Sequence, residues 1–268
     1  MKIIFYSVYN NFDNRALDLL NICISTYNKT NSLNMNWIIF YRESESCLTN
    51  FNNSKINIIF KKIKNINNNL KFKSEIINDF PEFEKLADIF CYKIKCVELL
   101  SKSKYDLICH VDLDIIFLKD LTKIYSYCIN SNDKIFGTLS YNFDSTDYSW
   151  LDKSIFKNGY LSLGFTIFKP QKIYNEFLNS KYLKTYIVDE SFLSVYKKIN
   201  NIKNLQLYKK NDVIDNYYIL HLSHCGLTYP KRFKYMQYYY SKYKKEVLQS
   251  DASENFKRYI KYFYKFNL

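Results

Sequence analysis

The sequence has no Cys-x-x-Cys pair, although it carries seven cysteines: Cys23, Cys47, Cys91, Cys96, Cys109, Cys128 and Cys225. An odd, scattered set argues against a disulfide framework and against a structural zinc site, and it fits a reducing compartment. No window approaches the roughly 18 apolar residues of a membrane-spanning helix. The first apolar run, Ile3 to Tyr9, is too short for a signal-peptide core and gives way to Asn10, Asn11 and Asp13. These absences set the expectation of a soluble, cytoplasmic protein, in which the sequons at Asn28 and Asn52 carry no meaning. Repeats and a clean domain boundary are missing as well.

Glycine (4), proline (3) and tryptophan (2) are scarce, while Asn, Ile, Lys, Tyr and Phe dominate. That bias is what A/T-rich codons produce, and it accounts for part of the formal charge of +13. A positive balance of this size otherwise points to nucleic acid or an anionic membrane. With a compositional origin available, no nucleic-acid partner is expected. The 27 Tyr and 21 Phe need a core and exclude disorder. With 268 residues and 47% apolar composition, the chain suffices for one larger α/β domain, with or without a small appendage.

Residues 2–8 (KIIFYSV) form a β-branched and aromatic run that predicts a first strand. Asp13 is placed to cap a helix through about Thr26, with Ala16, Leu17, Leu20, Cys23 and Ile24 on one face. Strands follow at 37–41 and 56–60, a helix at 83–102, and a continuously apolar strand at 105–111 that suits a central position. Further strands are expected at 115–118, 135–140, 161–168 and 217–222, and helices at 121–128, 170–178 and 189–198. This rhythm predicts an α/β fold with a mostly parallel central sheet and helices on both faces. Residues 231–268 hold ten Lys or Arg against three acids, and Phe256, Tyr259, Ile260 and Phe263 share one helical face. They read as a helical tail, either docked on the core or offering a peripheral contact to anionic lipid or another protein.

Asp112 and Asp114 stand one residue apart directly after the apolar run of residues 107–111. At the carboxyl end of a central parallel strand, side chains emerge into the crevice where α/β proteins bind ligands. Two carboxylates this close repel each other, and a divalent cation relieves the repulsion while leaving positions open for phosphate oxygens. Oxygen donors of this kind suit Mg2+ or Mn2+. The alternative is a strand-end turn with two solvated acids. The chain's second chemical signal is Gly159 and Gly164, two of only four glycines within six residues, which suggests a backbone pressed close to something.

The segment LICHVDLDIIFL (107–118), with Lys119-Asp120-Leu121 after it, resembles the GT-A-fold nucleotide-sugar glycosyltransferases, and among them family 8. The resemblance runs over roughly residues 2–230. It implies a Rossmann-like GT-A domain over 1–230, with 231–268 as a basic aromatic extension. It further implies transfer of a sugar from a nucleotide sugar, a UDP-sugar being expected, to a glycan, protein or lipid acceptor.

By this resemblance Ser7, Val8, Tyr9 and Asn10 hold the nucleotide base, and Asp112, Leu113 and Asp114 form the diphosphate and metal motif. Lys95, or its neighbour Lys93, reaches the donor. Ser162 and Gly164, in LSLGFTIFK, stand where the family commonly has Asn-Ser-Gly, a departure that leaves the sugar contact open. Asp189 and Glu190 take the place of the acidic pair near the reacting carbon, where a carboxylate acts as general base or stabilises positive charge. His221 and His224, in LHLSHCG, are the candidates for a third ligand to Mn2+ or Mg2+, with His224 preferred; His110 reads as core. Retention of anomeric configuration is also implied, though the altered motifs weaken it.

Two other classes remain open at this point. Haloacid-dehalogenase-like phosphohydrolases also use a strand followed by Asp-x-Asp, with the first Asp as nucleophile. Their downstream lysine and acidic motif would fall at Lys210, Asp212 and Asp215, without the usual glycine. A non-enzymatic basic module for membrane or nucleic acid explains the charge but gives the Asp pair and the histidines no purpose.

Overall fold

Strand β1 (Ile3–Phe12) shows how this chain builds a sheet covered on both sides. Successive side chains point to opposite faces. Ile3 and Phe5 fall in one buried cluster, and Ile4, Tyr6 and Val8 in the other. The same division recurs in β2 (Met35–Ser44), where Met35, Trp37 and Ile39 face one way and Ile38 and Phe40 the other. It recurs again in β4 (Leu107–Val111). A strand buried on both faces is continuously apolar, as the sequence reading required.

The computed structural model describes residues 1–12, 14–44, 55–63, 83–140, 159–179, 192–194, 199–207 and 216–221. The predicted elements and site residues at Asp13, 189–190, 210–215 and 222–268 lie outside them, and so does the proposed tail.

Helix α1 (Asn14–Thr30) lays Ala16, Leu20, Cys23, Ile24 and Tyr27 on the first face of the sheet. It runs a turn beyond the predicted Thr26 because Tyr27 continues the apolar stripe and packs edge-on against Phe5 and Phe117. Helix α2 (Phe83–Ser101) covers the opposite face through Cys91, Ile94, Val97 and Leu100. The Tyr6 hydroxyl donates to the Lys93 carbonyl at 3.0 Å, tying that helix to β1.

With β3 (Ile56–Lys62), β6 (Ile135–Ser140), β7 (Tyr160–Phe168) and β8 (Asn200–Asn201), the main sheet has the order β3-β2-β1-β4-β7-β6-β8. Strands β3, β2, β1 and β4 are mutually parallel, β7 runs antiparallel to both β4 and β6, and β8 pairs parallel with β6. The winding goes outward from β1 to β3 and then returns to the far side of β1 for β4. This reversal opens a crevice at the carboxyl ends of β1 and β4, where ligands bind in open α/β sheets.

A second sheet joins β5 (Ile115–Phe117), β10 (Ile219–His221) and β9 (Gln206–Leu207), with β10 antiparallel to β5 and parallel to β9. Helix α3 (Thr122–Asn130) follows β5, and α4 (Tyr174–Leu178) follows β7. Helix α4 starts later than the predicted residue 170. The Gln171 N–H is taken by the Ser101 hydroxyl at 2.8 Å, and that hydroxyl also approaches the Gln171 carbonyl at 3.2 Å. Among the described residues, no helix is long and apolar enough to cross a membrane.

The sequence after the Asp pair has a structural account. Asp120 accepts from the Ser32 N–H and hydroxyl and from the Thr122 N–H, so it pins the start of α3 to the α1–β2 turn. The Leu121 N–H donates to the Asn31 side chain, and the Lys119 ammonium lies over the Tyr218 ring. Partial burial works against the charged form of Asp120, but the hydrogen bonds from Thr122 and Ser32 outweigh it and lower its pKa to about 2.

Ser7 is fully buried and bridges three strands: its hydroxyl donates to the Val111 carbonyl and accepts from Trp37 Nε1 at 2.8 Å. Ser7→Ala removes both partners and leaves a buried indole N–H and a buried carbonyl unsatisfied. The expected cost is about 2–3 kcal/mol in urea denaturation, at the upper end of the range for one orphaned buried polar group.

Candidate metal centre

Strand β4 ends at Val111, and the chain turns so that Asp112 and Asp114 both emerge at the crevice. The Asp112 N–H donates to the Gly164 carbonyl at 2.8 Å, which extends the β4–β7 pairing by one residue. The Leu113 N–H donates to the Tyr9 hydroxyl at 3.0 Å, and Leu113 itself is buried. Tyr9 therefore braces the turn from the end of β1.

The pairing of β10 with β5 sets His221 opposite Ile115, the residue after Asp114. His221 Nε2 then stands 3.3 Å from Asp114 Oδ1 and 3.6 Å from Asp112 Oδ2. One ligand atom from each of the three residues falls within 4.8 Å of the others. Two carboxylates and one imidazole make a donor set that suits Mn2+ or Mg2+, with the nitrogen favouring Mn2+. The carboxylates keep 19% and 23% of their side-chain surface exposed, so one side of the group faces outward, where a metal's remaining positions would lie.

Gly164 makes this geometry feasible. A Cβ built there would overlap the His221 imidazole at Nδ1, Cε1 and Cγ. The glycine in LSLGFTIFK is thus pressed against the ring that completes the trio.

A second buried histidine and a lysine flank Asp112. Lys93 Nζ lies 3.3 Å from Asp112 Oδ1. His110 Nδ1 meets the Leu163 carbonyl at 2.6 Å, which fixes its proton on Nδ1 and turns Nε2 toward Asp112 Oδ1 at 3.5 Å. Burial, with the Lys93 charge in support, outweighs the pull of Asp112 and lowers the His110 pKa to about 4. For Asp112 itself burial favours the neutral acid, but Lys93 and the neighbouring imidazoles overcome it and hold the carboxyl well below the usual range. Burial likewise opposes a charged His221, while Asp114 and Asp112 pull its pKa upward.

The residues expected from sequence divide clearly by location. Asp112, Asp114, His221 and Gly164 meet in one place. Ser7, Val8 and Leu113 are buried. The Lys95 ammonium lies over the Tyr92 and Tyr174 rings at 5.8 and 5.6 Å, so the α2 cation brought to the Asp pair is Lys93. Asn10 and Ser162 belong to β1 and β7, but their side chains are not among those described. Asp189, Glu190 and His224 lie outside the described residues. Gln206, adjoining the imidazole, was missed; a lone buried glutamine in a short strand gives no signal in sequence. A cleft of about 460 Å³, lined by Met1, Asn34, Met35, Lys55 and Tyr105 among others, opens at the opposite, amino ends of the strands. It holds none of these groups.

No known sequence family matches the chain, and no curated protein matches it in sequence. Solved structures do. The apo structure of the bifunctional glycosyltransferase WbbM is 10% identical, with a TM-score of 0.61 over 98% of this chain and 52% of that one. This chain therefore spans about half of WbbM. The galactosyltransferase LgtC is 10% identical, with 96% of this chain matching 99% of it. Its TM-scores are 0.59 for an active-site mutant and 0.56 for the complex with donor and acceptor sugar analogues. The chain has the GT-A fold of these glycosyltransferases.

Two outcomes are expected. Gly164→Ala should displace the His221 ring and weaken the binding of a divalent cation to this trio, probed with Mn2+, about tenfold or more by isothermal titration calorimetry, the lower bound for disturbing how a ligand is held. Because His110 is neutral when folded, it contributes stability fully present above its ordinary pKa of 6.5 and lost as pH falls toward about 4. That shift corresponds to about 3 kcal/mol. Urea melts between pH 7 and 4 should show this slope in the wild type and a flatter one in His110→Gln, which keeps a donor for Leu163.

Proposed function

We propose that the chain is a metal-dependent glycosyltransferase that moves a hexosyl group from a nucleotide sugar, with UDP the expected nucleotide, to a glycan, protein or lipid acceptor. The observation that carries this reading is the convergence of Asp112, Asp114 and His221 at the carboxyl end of β4, within the GT-A fold. Residues 1–230 are assigned to the transferase domain and 231–268 to an appended tail with a peripheral, lipid-facing role.

A divalent ion, Mn2+ before Mg2+, would be held by these three residues and would neutralise charge developing on the departing diphosphate. Lys93, 3.3 Å from Asp112, is assigned to the donor phosphates in preference to Lys95, whose ammonium is engaged with two aromatic rings. Tyr9 holds the Leu113 backbone from the base side of the crevice. Asp189 and Glu190 are assigned to the reacting carbon, and His224 is held in reserve as a ligand if His221 proves dispensable. The phosphohydrolase reading leaves the imidazole between the two carboxylates without a use.

The test is a panel of nucleotide sugars with and without Mn2+, read as thermal shift and as release of nucleoside diphosphate. Metal-dependent stabilisation by a UDP-sugar is expected. Asp112→Asn and Asp114→Asn should each lower turnover on the order of a thousandfold, since a metal at the leaving group contributes several kcal/mol. Stabilisation by no nucleotide sugar in the presence of metal would sink the reading.

A further inference from the structure

Lys93 brings a positive charge to the edge of a site that fits a divalent cation. Its ammonium lies 3.3 Å from Asp112 Oδ1, while Asp112 Oδ2 is the oxygen turned toward His221, 3.6 Å away. The lysine is held at both ends. Its carbonyl accepts from the hydroxyl of the buried Tyr6 at 3.0 Å, so β1 tethers the backbone. Asp112 holds the ammonium from the end of β4, and the side chain keeps only 12% of its surface exposed.

A charge held this close acts on the site in two opposite senses. Toward a metal ion arriving alone, it offsets one of the two carboxylate charges and repels the ion itself. Groups so little exposed are only weakly screened by salt, so the effect persists in ordinary buffers. Toward a diphosphate arriving with the ion the sign reverses. That ligand brings several negative charges, and an ammonium beside the metal adds to its attraction.

We infer that Lys93 makes the site select a metal–diphosphate pair over a free divalent cation, lowering its affinity for the metal alone while raising that for the nucleotide with metal. No proton has to move for this discrimination. The inference rests on the reading of the chain as a nucleotide-sugar transferase and adds a second effect to the same residue. A lysine that served only the phosphates would leave binding of the metal alone unaffected when lost. One that only braced Asp112 would weaken both ligands when lost.

The experiment is calorimetric titration of the full chain, first with MnCl2 alone and then with UDP at saturating Mn2+, for the wild type and Lys93→Met. The variant should bind Mn2+ alone about tenfold more tightly and UDP about tenfold more weakly, changes within the range usual for linked sites. Lys93→Arg, which keeps the charge, should not tighten Mn2+. Mn2+ affinity unchanged or weaker in a folded Lys93→Met overturns the inference, and so does UDP affinity that does not fall. Tightening in Lys93→Arg as well overturns it too, because the effect would then not be one of charge. Should Lys93→Met not fold, Lys93→Gln keeps an N–H for Asp112 without the charge, and the same results decide. If no protein in the series binds UDP with Mn2+, the transferase reading falls together with the inference, a result distinct from the others.

Discussion

Two carboxylates one residue apart repel each other, and much of this structure is arranged around that repulsion. Asp112 and Asp114 could relax outward if the turn were free. The turn is not free: Gly164 holds the Asp112 N–H, Tyr9 holds the Leu113 N–H, and the Leu113 side chain is buried. Cations and proton donors gather in response, Lys93 on one side and His221 on the other. A divalent ion is the natural third partner, because it satisfies both carboxylates at once and still has coordination positions left over.

The surroundings of Asp112 contain two histidines held by different partners. His110 donates through Nδ1 to the Leu163 carbonyl and turns Nε2 toward Asp112, whereas His221 sets Nδ1 3.1 Å from the Gln206 amide nitrogen and Nε2 toward both carboxylates. One lies on β4 in the main sheet and the other on β10 in the second sheet. What distinguishes them is set by partners 53 and 15 residues away in the chain.

Support for the site reaches well beyond it. Ser7 joins β1, β2 and the end of β4, so the strand that delivers the Asp pair is keyed to β1 and through it to β2. Asp120 and Asn31 tie the segment after β5 to the α1–β2 turn, and Phe117 donates to Thr26 on α1. The register of β5 follows from these anchors, and β5 is the strand on which β10 brings in His221. A loosened anchor at this distance would therefore be felt as a misplaced ligand.

The sequence by itself determined the main helices and the strands other than β8 and β9, because a sheet buried on both faces demands continuous apolar runs and a covering helix demands a 3.6-residue stripe. It also determined the Asp pair, whose chemistry depends on a one-residue spacing, and the signal from Gly164, whose reason is a ring packed where a Cβ would stand. That His221 meets the pair was decided only by the antiparallel register of β10 on β5, since in sequence it stands in one short motif with His224. The choice of Lys93 over Lys95 was likewise tertiary. Two residues along a helix is a turn of about 200°, so one lysine faces the crevice and the other meets Tyr92 and Tyr174. Gln206 belongs wholly to this second kind, because its contacts with Phe165 and the His221 ring exist only once three separate strands have been brought together.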